Sequence, residues 1–239
     1  MKASYKNLHV NHLFCVDIQS NNYFSFVNDR NETKFRKILR IFQKGHYLIQ
    51  MAINPVPRHL LSKSSFLRGI QCEKALWMYK NEYHLREETS AAQQAIFRRG
   101  TDVGVLARDL FPGGVDASPI DSFHYQESVM KTSELIQTEN KIIYESAFQF
   151  EHVFAALDIL INKSNKWFAY EVKSSTEVKE VHILDAALQY FVITQTGLPL
   201  EDISIIYINN QYIRNGALDL SQLFIQQSVK KEVMALQGY

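Results

Sequence analysis

The sequence predicts an α/β protein with a mixed central sheet flanked by helices in an α/β/α arrangement. Three apolar runs of strand length follow one another between residues 141 and 175. They are rich in β-branched and aromatic residues, which favour strands. A segment with helical spacing, Val181–Thr196, and a further strand-like run, Ile203–Ile208, come next. The order strand, strand, strand, helix, strand indicates helices packed against one sheet.

The composition is that of a folded protein. Hydrophobic residues make up 46% of the 239 residues and aromatic residues 12%, which is enough for a sizeable core. No run reaches the roughly 18 apolar residues of a transmembrane helix, and residues 1–10 lack the apolar centre of a signal peptide. The two cysteines, Cys15 and Cys72, exclude a disulfide framework and a four-cysteine metal or iron–sulfur site within this chain. We therefore expect a cytoplasmic protein without a membrane partner.

Charge is distributed unevenly along the chain. The net charge is +1, yet residues 1–60 hold nine Lys and Arg against three Asp and Glu. We assign residues 1–58 to an N-terminal basic extension and residues 59–239 to the main domain, with the boundary at the two prolines of Asn54–Pro57. Within the extension, Thr33–Gln50 has the spacing of a basic amphipathic helix. Such a helix could contact nucleic acid or a partner helix; the alternatives are an ordinary surface helix or a poorly ordered extension.

Three helices are predicted before the central strands. Leu61–Lys80 begins at a serine cap and has a buried side formed by Phe66, Ile70, Leu76 and Trp77. Gln93–Phe111 also has helical spacing, and its glycines, Gly100 and Gly104, would allow close packing on the sheet. Gln126–Thr138 is the third helix. After the sheet, the closing segment Leu218–Leu236 is predicted to be a partly amphipathic helix.

Two acidic residues lie where buried strands should carry no charge. If Val153–Asn162 pairs antiparallel with Trp167–Lys173 through the four-residue loop Lys163–Lys166, then Asn162 faces Trp167 and Asp158 faces Glu171. Facing residues of neighbouring strands lie about 5 Å apart. Lys173, two residues after Glu171, points to the same side of its strand.

Two unpaired carboxylates so close together repel each other and are costly to desolvate. A divalent cation removes this conflict, and hard oxygen ligands suit Mg²⁺ or Mn²⁺. Lys173 would then add a positive charge where a phosphate could bind. The alternative is an edge-strand pair of acids that faces water and forms a salt bridge with Lys173. Glu145, on the first strand, is either an accessory acid or a solvent-facing residue.

An Asp in one strand followed by Glu-x-Lys in the next resembles the active site of the PD-(D/E)xK nuclease superfamily. The resemblance covers about Leu61–Phe224 and implies an α/β/α restriction-endonuclease-like core. It implies that Asp158 and Glu171 bind Mg²⁺ or Mn²⁺, with the Val172 carbonyl as a further ligand. It also implies that Lys173 positions the attacking water.

The flanking helices carry a more specific resemblance. The segment that contains Cys72 and Leu76-Trp77 resembles the opening helix of RecB-like exonucleases associated with CRISPR systems, and it is similar to a group of uncharacterised bacterial proteins. In those exonucleases the equivalent cysteine helps to bind an iron–sulfur cluster. Cys72 lacks the companion cysteines, so no cluster is predicted, and the alternative role is that of a buried helix cysteine. Gly104 stands about where the family has a metal-binding histidine.

The helix after the central strands carries the last candidate residue. RecB-like nucleases have Gln-x-x-x-Tyr on this helix, beside the metal site, and Gln189 fits the glutamine. Ile193 stands four residues later, with Tyr190 adjacent to Gln189 instead. Gln189 is therefore predicted to belong to the site, and Tyr190 to the core.

The expected activity is Mg²⁺- or Mn²⁺-dependent hydrolysis of DNA phosphodiester bonds, as by an exonuclease. Asp158, Glu171, Lys173 and Gln189 would form the catalytic site, and DNA would be the partner. The alternative is a catalytically inactive nucleic-acid-binding or assembly module on the same fold. A small-molecule enzyme is a weaker alternative, since the sequence has no glycine-rich phosphate loop or nucleophile elbow.

Overall fold

The computed structural model describes residues 34–38, 60–121, 123–138 and 140–237. Besides the helical residues 34–38 and the 3-10 turn Tyr83–Leu85, its helices are α1 (Lys63–Gln71), α2 (Glu73–Asn81), α3 (Ala91–Arg108), α4 (Tyr125–Gln137), α5 (Glu180–Gln195), α6 (Leu220–Leu223) and α7 (Lys230–Gln237). Its strands are β1 (Val115–Asp116), β2 (Ile142–Phe150), β3 (Val153–Lys163), β4 (Lys166–Lys173), β5 (Leu200–Ile208) and β6 (Phe224–Ser228). Within these described ranges, no helix is both long and apolar enough to span a membrane.

The six strands form one mixed sheet in the order β1-β2-β3-β4-β5-β6. The β1–β2 and β4–β5 pairs are parallel, and the remaining pairs are antiparallel. The parallel β4–β5 pair is joined by a crossover through α5, as parallel neighbours require. The predicted α/β class, with a mixed central sheet flanked by helices, is confirmed.

The hairpin of β3 and β4 has the predicted register and a tighter turn than expected. Asn162 pairs with Trp167, as predicted, and Lys163 pairs with Lys166. The turn is formed by Ser164 and Asn165 alone, whose φ angles are 53° and 61°. Two consecutive residues with positive φ are the signature of a type I′ turn, whose twist matches that of the flanking strands.

The sheet is irregular beside the two predicted metal ligands. The β3–β4 pairs run only as far as Ile159 and Tyr170, so Asp158 and Glu171 are the next residues on their strands. On the other side of β3, the pairs with β2 skip Asp158 and Glu145, and Glu145 has a φ of 52°. Such irregularities redirect side chains that would otherwise alternate regularly between the two faces.

The change of direction is visible in the packing of β3. Leu157 belongs to the larger apolar core, together with residues of α1 and α5, whereas Ile159 belongs to a smaller core that includes Ala107 of α3. Alternate residues of a regular strand share a face. The switch between residues 157 and 159 therefore locates the irregularity of the strand at Asp158.

The predicted helix Leu61–Lys80 is two helices, and one of its buried positions is wrong. Cys72 separates α1 from α2 with an extended backbone, at a φ of −159° and a ψ of 115°. Phe66, Ile70 and Leu76 are buried as expected, but Trp77 is 58% exposed. The break turns α2 relative to α1, so the apolar stripe that would be continuous on a single helix does not continue to Trp77.

The expected role of the α3 glycines is also wrong. A Cβ atom added at Gly100 or Gly104 would have nothing within 4 Å. The contact of α3 with the smaller core comes instead from Val103, Leu106 and Ala107, near its C-terminal end. The close approach lies just beyond α3, at Gly114, where an added Cβ would be 2.7 Å from Ile142 Cγ2 and would also meet the Tyr144 ring.

The closing segment Leu218–Leu236 is not a single helix. It contains α6, the edge strand β6 and α7. Tyr207 pairs with Ile225 in the β5–β6 ladder, so the free edge of β5 determines the conformation of residues that have no strong preference of their own.

Of the predicted Thr33–Gln50 helix, residues 34–38 are described and helical; residues 33 and 39–50 lie outside the described residues. Phe35 and Ile38 are buried in the larger core. Phe35 packs edge-on against Phe66 of α1, with ring centroids 5.2 Å apart. This part of the N-terminal segment therefore packs on α1. The domain boundary at residue 58 stays a prediction.

Candidate functional site

Glu171 lies at the centre of a buried group of charges. Its side chain is 2% exposed. Lys63 and Lys173 donate hydrogen bonds to Glu171 Oε1, at 2.7 and 2.5 Å, and Gln189 Nε2 donates to Oε2 at 2.7 Å. Burial alone would raise the pKa of Glu171, but the ammonium groups of Lys173 and Lys63 outweigh burial and hold the pKa well below its usual range.

Asp185, on α5, is the second buried acid. Lys173 Nζ donates to its Oδ2 at 2.5 Å, and Lys63 Nζ lies 3.6 Å from the same oxygen. Gln189, one helical turn later, is 3.4 Å from its Oδ1. Burial raises the pKa of Asp185 and Glu171 adds to this effect, while the two lysines partly offset it. We call Lys63, Glu171, Lys173, Asp185 and Gln189 the acid–lysine cluster.

Asp158 lies at the end of the β3–β4 ladder, beside this cluster. Its Oδ2 accepts a hydrogen bond from the backbone N–H of Val172 at 2.5 Å. Burial raises the pKa of Asp158 to about 8, with a further contribution from the charge of Glu171, although Lys63 and the Val172 N–H act in the opposite direction. The surroundings of Asp158 therefore disfavour its charged form relative to a carboxyl in water.

A fourth acid, Glu145 of β2, forms an ion pair with Arg108. Arg108 of α3 donates to Glu145 Oε1 at 2.9 Å and to Asp116 Oδ2 at 2.6 Å. Burial raises the pKa of Glu145 despite Arg108. The charge of Glu145 is also one of the causes of the raised pKa of Asp158. Glu145 is therefore held in an ion pair rather than facing solvent alone.

Three of the predicted site residues are in direct contact. Glu171 bonds to both Lys173 and Gln189. Asp158 contacts the backbone of Val172, the residue after Glu171. Burial and then the charge of Glu171 raise the pKa of Asp158, so the two carboxyl groups lie near each other. A role for the Val172 carbonyl as a metal ligand stays a prediction, as do the catalytic roles. Tyr190 is buried in the larger core, in agreement with the packing role expected for it.

Sequence reasoning missed Lys63 and Asp185. Asp185 had a usable signal, because an acid in a helix as apolar as Val181–Thr196 needs a buried partner, and it is four residues from Gln189 on the same face. Lys63 had none. It is 108 residues from Glu171 in the sequence, and only the packing of α1 on the sheet brings the two together.

Among the described residues, no group of three or more His, Cys, Asp and Glu side chains is arranged to hold a metal ion. Both ammonium groups also donate to Glu171 Oε1, so a cation that binds this oxygen must compete with them. One polar atom in the cluster is unpaired within the described part of the chain. Gln189 Oε1 is buried and has no hydrogen-bond partner there, although the other end of the amide is anchored on two acids.

Comparisons with known proteins assign no family. No family model matches the chain, and no curated protein matches it. A solved structure described as the crystal structure of SSO0001 aligns with this chain at 10% sequence identity and a TM-score of 0.33. The alignment covers 87% of this chain and 82% of the SSO0001 chain. At that TM-score the similarity supports no conclusion about fold or function.

Proposed function

We propose that this protein is a metal-dependent nuclease that hydrolyses DNA phosphodiester bonds. The observation that carries the proposal is the meeting of Glu171, Lys173 and Gln189 at the end of the β3–β4 ladder, with Asp158 bonded to the next residue of β4. These residues come from the strands and the helix that carry the catalytic residues in the PD-(D/E)xK superfamily, which the sequence resembles. DNA as the substrate follows from that resemblance alone.

The donor set suits a hard divalent cation. Asp158 and Glu171 offer carboxylate oxygens, which Mg²⁺ and Mn²⁺ prefer. Burial and the charge of Glu171 raise the pKa of Asp158, and a bound cation could offset both of these costs of its charged form. The unpaired Gln189 Oε1 could accept a hydrogen bond from a water molecule of a hydrated cation.

Each residue then has a distinct role. Asp158 and Glu171 would hold Mg²⁺ or Mn²⁺, which when bound lowers the pKa of water and offsets charge on the phosphoryl oxygens. Lys173, fixed by hydrogen bonds to Glu171 and Asp185, would orient the nucleophile and stabilise negative charge in the transition state. Gln189 holds Glu171 in position through its Nε2.

One observation favours the second candidate, a nucleic-acid-binding or assembly module without catalysis. Three N–H donors already engage both oxygens of Glu171. A buried network in which donors and acceptors are this well matched can also serve only to hold α1 and α5 on the sheet. In this case the protein would bind nucleic acid or a partner without needing a divalent cation.

The deciding experiment uses end-labelled single-stranded and double-stranded DNA with Mn²⁺, and compares wild type with Asp158→Ala and Lys173→Ala. We expect cleavage by wild type that EDTA abolishes, and a loss of about 100-fold or more in each variant. Lys166→Ala is the matched control, since Lys166 is on the same strand as Lys173 and pairs at the surface with Glu201. It should cleave like wild type.

Thermal melts establish that each variant is folded before cleavage is compared. DNA binding that is insensitive to EDTA, with no cleavage of either substrate, would favour the non-catalytic module. Cleavage that persists in folded Asp158→Ala and Lys173→Ala would locate the chemistry elsewhere.

A further inference from the structure

Lys63 occupies a position that its own helix does not favour. It is the first residue of α1, directly after the Ser62 cap, and the first turn of α1 contains no acid. The N-terminus of a helix carries partial positive charge, so a cation there is unfavourable. The helix itself therefore gives no reason for a lysine at this position. The reason lies in the acid–lysine cluster, where Lys63 contacts Glu171 and Asp185.

Within the cluster, the ammonium group of Lys63 duplicates that of Lys173. Both bind Glu171 Oε1, and both approach Asp185 Oδ2, at 3.6 Å from Lys63 and 2.5 Å from Lys173. The two ammonium groups repel each other: burial lowers the pKa of Lys173, Glu171 and Asp185 raise it above its usual value, and the charge of Lys63 opposes that rise. Of the two side chains, Lys63 is the more exposed, at 31% against 19%.

We propose that Lys63 is an internal competitor for the divalent cation, with its ammonium group held between Glu171 and Asp185 until the ion displaces it. This inference rests on the proposed function, because it requires that a cation binds there. Gln189 binds both acids through Nε2, and its Oε1 is buried without a hydrogen-bond partner among the described residues, which is a separate indication of a ligand beside the cluster.

The displacement needs no change of fold. α1 is held by Phe66 and Ile70, which are buried in the larger core, and these contacts do not involve the lysine side chain. Lys63 is long and flexible and is already partly exposed, so its ammonium group can move to solvent while the helix stays in place. Lys173, the less exposed of the two, would remain bonded to the acids.

The test is calorimetric titration of the whole protein with Mn²⁺ alone, on wild type, Lys63→Met and Lys166→Met. Methionine keeps much of the length of the lysine side chain without its charge. We expect Lys63→Met to bind Mn²⁺ about tenfold more tightly than wild type, because one competing charge is gone. Lys166→Met removes the same charge at a surface ion pair and should bind like wild type.

A second variant changes the affinity in the opposite direction and covers the case in which Lys63→Met does not fold. Lys63→Arg keeps the charge and can bond both acids through a forked guanidinium group, so it should bind Mn²⁺ several-fold more weakly than wild type. Binding by wild type without these opposite shifts in the folded variants would overturn the role of Lys63 and leave the nuclease proposal standing. No Mn²⁺ binding by any of the proteins would overturn both.

Discussion

The acid–lysine cluster and the network around Arg108 use similar chemistry in different surroundings. In the cluster, lysines bridge Glu171 and Asp185, whose side chains are only 2% and 3% exposed. In the network, Arg108 bridges Asp116 and Glu145, which are 46% and 35% exposed. Both groups of charges bring together acids from different parts of the chain. Only in the acid–lysine cluster are the acid side chains shielded from water.

Burial determines what each group of charges can do. Exposed ion pairs are screened by water and contribute little to stability. Buried charges lose their hydration, so removing one partner leaves an uncompensated charge at a large cost. The cluster therefore depends on every member, and a cation that enters it must take over the role of an existing charge. The Arg108 network tolerates the loss of one acid.

The largest expected effect is on stability at the centre of the cluster. Glu171→Gln should lower the free energy of unfolding by about 3 kcal/mol, because Lys63 and Lys173 lose their shared carboxylate. Asp116→Asn, the matched change in the exposed network, should cost less than about 1 kcal/mol. Urea unfolding monitored by circular dichroism measures both. Equal losses would show that burial does not distinguish the two groups of charges.

A smaller effect should appear in the pH dependence of the metal-free protein. The pKa of Asp158 is raised in the folded state to about 8, so the folded protein binds a proton that the unfolded chain releases near pH 4. Its contribution to stability is complete below about pH 4 and is lost as the pH rises to about 8. We expect Asp158 to lower the free energy of unfolding by about 2 kcal/mol between pH 5 and pH 6.5.

The measurement is the difference between wild type and Asp158→Asn in EDTA. A difference is needed because His182, whose pKa burial lowers to about 4, makes the protein less stable as the pH falls below about 6.5. This second effect is common to both proteins and cancels. If the free energies of unfolding of the two proteins change in parallel with pH, the pKa of Asp158 is not raised by folding.

The smallest expected effects concern the packing beneath the Arg108 network. Gly114→Ala would place a methyl group against Ile142 and the Tyr144 ring, and Tyr144 also lies beneath the Arg108 guanidinium. This change should destabilise the protein by about 1–2 kcal/mol. Gly104→Ala, in open space on α3, should instead stabilise it by up to about 1 kcal/mol, because alanine favours helices. Thermal unfolding of both variants tests the contrast. Loss of stability in both would point to a tight approach of α3 to the sheet.

Local patterns predicted the central part of the fold well. Alternation, apolar runs and a polar turn were sufficient for the three strands and the register of Asn162 with Trp167. Gln189 was predicted to lie at the site from its resemblance to the glutamine of a Gln-x-x-x-Tyr helix, and it bonds to Glu171. Each of these signals lies within a few residues of the position that it predicts.

The errors arose where distant contacts override local preference. The break at Cys72 exposes Trp77, and pairing with β5 makes residues 224–228 a strand. Lys63 joins the site only because α1 packs on the sheet across 108 residues of sequence. A periodic pattern contains none of this information, since the partner's position depends on the whole fold.

The packing of Phe35 and Ile38 behind α1 has a practical consequence for protein production. A shortened protein that begins at Met51 would keep every residue of the acid–lysine cluster. It would nevertheless uncover Phe66, whose aromatic partner is Phe35, and the surface around Gly69, which Ile38 covers. Loss of solubility, or of the proposed metal binding, after such a truncation would then reflect an unsupported helix, since the described part of the deleted segment contributes no residue to the acid–lysine cluster.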